Sequence, residues 1–332
     1  MVIGQHRWTS NMQDNAGSNL KAAFFAIIAF GLFATHDVVV KFLGASYSPF
    51  QIIFFSVLLS FPLATLMLMR DATSGHLRPV HPWWTALRTG AAVATGFSAF
   101  YAFSVLPLAQ VYAILFASPL LITVLSIPIL QERVGAHRWG AVVVGLAGVM
   151  VVLRPGSAPF ELGHLAALVA ATGSATASVV VRKIGKDERS AVLMLYPMVA
   201  NFVVMAAILP MVYRPMPVEH LGLLGVVSLL AFVAGLCMIA AYRRGDAAIV
   251  APMQYSQILW AAGYGVLLFD ERGDLFTWIG AGIVIASGLY IVLRESIVGT
   301  SRNTPVLRTK TRYESGTMPR VSLFQKRDKR HD

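Results

Sequence analysis

Cysteine and charge are both scarce in this chain. The single cysteine, Cys237, excludes an intramolecular disulfide and any cysteine-based zinc site. Only 13% of the 332 residues are charged while 56% are apolar, about half the charge density of an ordinary soluble domain. A soluble chain of this length needs far more polar surface to cover its core. A cytosolic enzyme, a secreted disulfide scaffold and a disordered chain are therefore excluded, and a polytopic helical membrane protein is implied. Catalytic signatures are missing as well: the sequence holds no His-Glu-x-x-His, no Gly-rich phosphate loop, no Gly-x-Ser-x-Gly and no dinucleotide fingerprint. Neither enzymatic activity nor a cofactor or metal is expected. The net charge of +11 does not form a nucleic-acid face. Ten Lys and Arg against four Asp and Glu fall between Arg294 and Asp332, and the remaining excess is spread over short loops.

What the sequence has in quantity is long apolar runs. A bilayer core needs about 20 apolar residues per spanning helix, and ten such segments are predicted, at 20–41, 49–69, 84–106, 108–130, 137–153, 162–182, 190–212, 218–242, 247–268 and 275–293. The third and fourth form one run, divided at Pro107 because proline disfavours a helical conformation of the residue before it. The stretches 1–19 and 295–332 read as polar cytoplasmic tails. Counted on alternate sides of the ten segments, Lys and Arg number 23 on the side of both termini and 4 on the other. This bias predicts an inner-membrane, multi-pass protein with cytoplasmic termini.

The chain also repeats itself. Val38-Val39-Val40-Lys41-Phe42-Leu43-Gly44 aligns with Val179-Val180-Val181-Arg182-Lys183-Ile184-Gly185 at an offset of 141. Gln131-Glu132-Arg133 and Trp139 align with Asp270-Glu271-Arg272 and Trp278 at 139. Each half, 20–154 and 162–294, thus carries five segments. Five is odd, so the second half enters the membrane in the opposite sense, an inverted-topology repeat typical of secondary transporters. The stretches Leu106-Pro107-Leu108-Ala109, Ser118-Pro119-Leu120, Gln131-Glu132-Arg133, Gln257-Ile258-Leu259-Trp260, Asp270-Glu271-Arg272 and Ile285-Ala286-Ser287-Gly288 resemble the drug/metabolite transporter superfamily, in particular transporters built from two tandem EamA domains. That resemblance implies transport of a small metabolite by alternating access. An amino acid or related compound, exported, is the first reading, and uptake of a vitamin or nucleotide-like metabolite the second. A non-transporting membrane sensor or scaffold is the alternative from another class.

Candidate residues fall into three groups. His36, Asp37 and Lys41 are ionisable groups near the end of the first segment. Asp37 and Lys41 are spaced i,i+4 and share a helix face, so an ion pair with Lys41 reaching toward water is the simplest expectation, and coupling to a proton or cation the alternative. Gln254, Gln257 and Trp260 form a stripe on the ninth segment, with Tyr101 and Tyr112 opposite it from the first half. Amides in hydrocarbon need partners, and aromatic rings beside them suit a flat or amphipathic ligand. Pro119 and Pro252 fall inside spanning segments and free backbone carbonyls there. The Glu-Arg pairs after the fourth and ninth segments read as charges that fix helix ends. Ala141 with Gly145, and Gly282 with Ala286, are small-residue spacings for close packing within the bundle, or across a homodimer. The basic tail is expected to be disordered and drawn to anionic lipid.

Overall fold

The protein is seen in a computed structural model that describes residues 3–69, 77–132, 134–154, 160–185, 187–244, 247–271 and 273–297. Among them there are twelve α-helices, one 3₁₀ helix and no strand. The first half comprises α1 (Ile3–Gly44), α2 (Pro49–Met69), α3 (Pro82–Val105), α4 (Leu108–Leu115), α5 (Ser118–Leu130) and α6 (Ala136–Leu153). The second comprises α7 (Leu162–Ile184), α8 (Ser190–Val212), α9 (Val218–Arg244), α10 (Ala247–Val250), the 3₁₀ helix Ala251–Ser256, α11 (Gln257–Phe269) and α12 (Leu275–Ile297).

These helices make ten passes, because the fourth and ninth are each broken. Leu106 is extended ahead of Pro107 and ends α3. In the fourth pass the helix is interrupted at Phe116–Ala117, just before Pro119, whose missing N–H cannot continue the ladder. In the ninth, Pro252 lies in the 3₁₀ stretch. Both broken passes then end on a residue in the left-handed region, Gln131 at φ 56° and Asp270 at φ 52°, 139 positions apart. The repeat is thus written in the backbone as well as in the side chains. One boundary differs from expectation: α1 already begins at Ile3, since no proline interrupts residues 3–19. The basic tail beyond 297 lies outside the described residues.

Helix pairing follows the inverted repeat. α1 packs along α9 and α3 along α7, two contacts that an exchange of halves converts into one another, while α6 packs on α12 and α2 on α8. The α3–α7 pair is antiparallel. Gly163 lies against Val105 and Leu106, Gly173 against Thr95, and Lys183 over the ring of Trp84. With 24 residues, α3 is about 36 Å long and separates two ends of the molecule by a bilayer thickness. Backbones come close where α6 crosses α12. A Cβ on Gly280 would lie 2.6 Å from the carbonyl oxygen of Gly148. The expected small-residue pairs are used differently: Gly145 meets Leu120 and Ser287, whereas Gly282 faces open space. Leu259, Leu267 and Met211 are among the many large apolar side chains left exposed, as lipid-facing helices require. Eight of the described helical stretches are long and apolar enough to cross a membrane. The other two passes are α3, which carries Arg88 and several Thr and Ser, and the broken ninth.

Candidate functional site

Residues singled out from separate parts of the sequence converge between the halves. Asp37 on α1 is 2% exposed. Its Oδ1 lies 2.7 Å from Nδ1 of its neighbour His36, and its Oδ2 accepts the Tyr112 hydroxyl from α4. The same hydroxyl accepts Nε2 of Gln257, from the first turn of α11, at 3.3 Å. A continuous polar chain, His36–Asp37–Tyr112–Gln257, thereby crosses from the first half to the second. Three of its members, Asp37, Tyr112 and Gln257, are at most 2% exposed. The two broken passes explain how it is built. Each break sets one polar side chain, Tyr112 just before the first and Gln257 just after the second, against the face of α1 that carries Asp37.

Beside the chain lies a narrow cleft lined by His36, Ile53, Ser56, Val57, Ser60, Phe100, Val227, Ser228 and Ala231. Ser60 and Ser228 both donate to the backbone oxygen of Ser56, at 2.7 and 2.8 Å, which ties α2 to α9. The hydroxyl oxygen of Ser56 itself is buried, with no partner among the described residues. An uncommitted hydroxyl in an apolar bundle is a group kept for a ligand or water. These serines were not singled out in the sequence, where Ser56 is one polar residue among Phe and Val. Their serine-rich face becomes visible only when α2 and α9 are brought together.

Other expectations are corrected. Lys41 is not the partner of Asp37, nor does it reach to water. Its side chain is 10% exposed, and its Nζ lies 2.7 Å from Oε1 of Glu271 and 2.6 Å from the Leu106 oxygen. Helical spacing favours the i,i+4 carboxylate, but Tyr112 and His36 occupy Asp37, while the short loop after α11 delivers Glu271 to Lys41. Trp260 is 40% exposed, with one ring edge against Gly31 of α1. It lies on the outer face of the stripe rather than in the polar chain. Gln254 is half-buried on the 3₁₀ helix and, among the described contacts, does not reach that chain. Tyr101 stacks on Phe97, which stacks on Phe50, so it belongs to an aromatic row beside the cleft. Among the described residues no three His, Cys, Asp or Glu side chains gather as a metal donor set.

Two copies of one domain decide the family. The sequence matches the EamA-like transporter family over residues 20–154 and again over 161–293. The chain belongs to that family. It is similar, at 24% identity over 285 residues, to an S-adenosylmethionine uptake transporter of Rickettsia prowazekii, with 86% of this chain and 96% of the relative covered. It is 27% identical over 257 residues to a riboflavin transporter of Brucella anthropi, covering 76% and 89%. The pseudopaline exporter CntI of Pseudomonas aeruginosa is 24% identical over 270 residues, covering 79% and 92%. A solved crystal structure 18% identical in sequence superposes with a TM-score of 0.55 over 86% of this chain and all of the other, which shows the fold. The protein is thus a multi-pass membrane transporter of a small metabolite.

Proposed function

We propose that this chain is an inner-membrane secondary transporter of an amino-acid-derived metabolite, with both termini in the cytoplasm and the solute bound beside Asp37. The observation that carries the reading is the chain His36–Asp37–Tyr112–Gln257, which joins the two halves at a buried level next to a serine-lined cleft. In inverted repeats, ligands sit near the midplane where the halves meet and where helices are broken. The field of the Asp37 carboxylate favours a solute carrying an amino or sulfonium group. Ser56 offers a hydroxyl to its polar remainder, Ser60 and Ser228, whose protons go to backbone oxygens, offer only acceptor oxygens, and Phe100 gives a face for stacking. The relatives named for S-adenosylmethionine and pseudopaline support this class. The His36–Asp37 pair is the coupling group, since it stands between the cleft and the Tyr112 hydroxyl. No nucleotide-hydrolysing motif is present in the sequence, so the energy comes from an ion or solute gradient or the solute moves by facilitated diffusion, and the buried Asp37 favours a proton or cation gradient.

The experiment is flux in proteoliposomes with an imposed pH gradient, using amino acids, S-adenosylmethionine and riboflavin in both vesicle orientations. Saturable, gradient-dependent flux of an amino-acid-related solute is expected, with the productive orientation giving the direction. Riboflavin flux alone would replace this class with the vitamin reading that the Brucella relative favours. No flux of any solute by properly inserted protein would overturn transport itself and return the non-transporting sensor.

A further inference from the structure

The ion pair at Lys41 has a counterpart at the far end of the molecule. Glu132, in the loop after α5, is held by Arg182 of α7, with Arg182 Nη1 3.1 Å from Glu132 Oε2 and a second contact from Nη2 to Oε1. Neighbouring Lys183 donates to the Ile129 oxygen at 2.7 Å, as Lys41 does to the Leu106 oxygen. Lys41 aligns with Arg182 and Glu271 with Glu132 in the repeat. The two pairs are therefore one interaction built twice by inversion. Each joins the end of the first helix of one half to the loop between the fourth and fifth passes of the other.

Further contacts repeat the pattern. At the Lys41 end, the Tyr47 hydroxyl lies 2.7 Å from Nδ1 of His220. At the Glu132 end, His81 Nε2 lies 3.3 Å from Oδ2 of Asp187. His81 and His220 are 139 positions apart.

Two properties fit these pairs to one task. Each spans the two halves, so motion within one half leaves it intact, while rocking one half against the other separates the partners at one end. Each is nearly dry: the side chains of Lys41 and Glu271 are 10% and 19% exposed, and those of Arg182 and Glu132 both 10%. Separating a buried pair strands two charges unless water arrives with the motion. Breaking a pair and wetting that end are consequently one event. Glu271 already stands at the edge of such space, because it lines an open cleft with Gln110, Asp274 and Thr277. Its other oxygen accepts the backbone N–H of Leu108 at 3.1 Å, capping the start of the broken pass that carries Tyr112.

We propose that Lys41–Glu271 and Arg182–Glu132 are the two gates of the transport path, opened in alternation, and that the arrangement described here, with both closed, is the occluded state. This rests on the transport reading above, so the test reads access rather than flux. In a Cys237→Ser background, Ala231→Cys places a reporter thiol in the central cleft, midway along α9. Sealed vesicles of each orientation are treated with a membrane-impermeant maleimide. Glu271→Gln should raise labelling from the Lys41 end about tenfold and lower it from the other; Glu132→Gln should do the reverse, since each lost pair shifts the population of open states at its own end. The charge-swapped pair Lys41→Glu with Glu271→Lys should bring labelling back toward the parent, which a merely misfolded single variant would not permit. Labelling that is unchanged, or that changes equally from both sides, overturns the gates while leaving any measured flux to support transport. Side-dependent labelling in a protein that moves no solute supports the gates and overturns the transport reading.

Discussion

Glu132 and Glu271 stand 139 residues apart, and each holds a cation carried by the opposite half of the chain. At these two pairs each half satisfies the other's charge, so the five-pass units depend on each other for these polar ends as well as for helix packing. The same reciprocity appears midway, where Tyr112 of the first half accepts Gln257 of the second.

Tyr112→Phe removes the group that links Asp37 to Gln257 and keeps the ring. Losing a hydrogen bond to a carboxylate is worth about 1.5–3 kcal/mol, so gradient-driven flux is expected to fall at least about tenfold. Asp37→Asn is expected to abolish gradient-driven flux while solute exchange persists. Parallel assays of both modes in proteoliposomes check this, and full activity of both variants in both modes would remove the chain from the mechanism.

Gln257→Ala and Trp260→Leu are expected to behave differently, although the two residues are one helical turn apart. The first is 2% exposed and takes part in the polar chain; the second is 40% exposed. Half-saturating solute concentration should rise roughly fivefold for Gln257→Ala, as loss of about 1 kcal/mol of ordering implies. It should stay near the parent value for Trp260→Leu. Equal damage from both would restore Trp260 to the site.

Gly280→Leu is expected to destabilise the bundle because it drives α12 off the Gly148 carbonyl. Overpacking of this kind costs about 1–3 kcal/mol or more, read as a lowered melting temperature in detergent. Gly282→Leu, two residues away in open space, serves as the control and should melt near the parent temperature. If both melt alike, the crossing is not where the model of close packing puts it.

Gly288→Ala tests the buried face of the 3₁₀ helix. A Cβ there would collide with the Tyr255 hydroxyl, so the variant should lose folded protein. Tyr255→Phe on the same chain should recover part of it by removing the clashing oxygen. Size-exclusion profiles of the single and double variants report the coupling; independent effects would place Tyr255 elsewhere.

Fusions of a compartment reporter at Arg214 and at Arg294 are expected to report opposite sides of the membrane, with Arg294 cytoplasmic. This follows from the 23-to-4 distribution of Lys and Arg. Reporters on the same side would change the number of passes between them.

The ten passes and the inversion were legible because they depend on composition and spacing, which survive without contacts. Asp37, Tyr112 and Gln257 were each visible as polar groups in apolar helices, Tyr112 and Gln257 as opposed residues of one constellation and Asp37 as a member of another. What joins them is the packing of two broken passes against α1, and proline positions say only that a break is near. Lys41 shows the limit of local reasoning most clearly: its i,i+4 neighbour is an acid, yet its partner lies 230 residues on. A signal was present in the alignment of Lys41 with Arg182 and Glu271 with Glu132. Reading it required the step that an inverted pair of halves exchanges partners across the axis. The crossing at Gly148 and Gly280 was missed for a related reason, since small-residue spacing marks a helix face without saying which face meets a neighbour.

The 3₁₀ helix Ala251–Ser256 sets the angular position of everything after it. Six residues wound at three per turn advance about 12 Å and complete two revolutions. The same residues as α-helix would advance about 9 Å and fall short of that by about 120°. Recoiling this stretch would therefore act as a screw, drawing α11 inward by about 3 Å and swinging Gln257 a third of a turn from the Tyr112 hydroxyl. The register of one short overwound segment thus decides whether the two halves share a hydrogen bond at their centre.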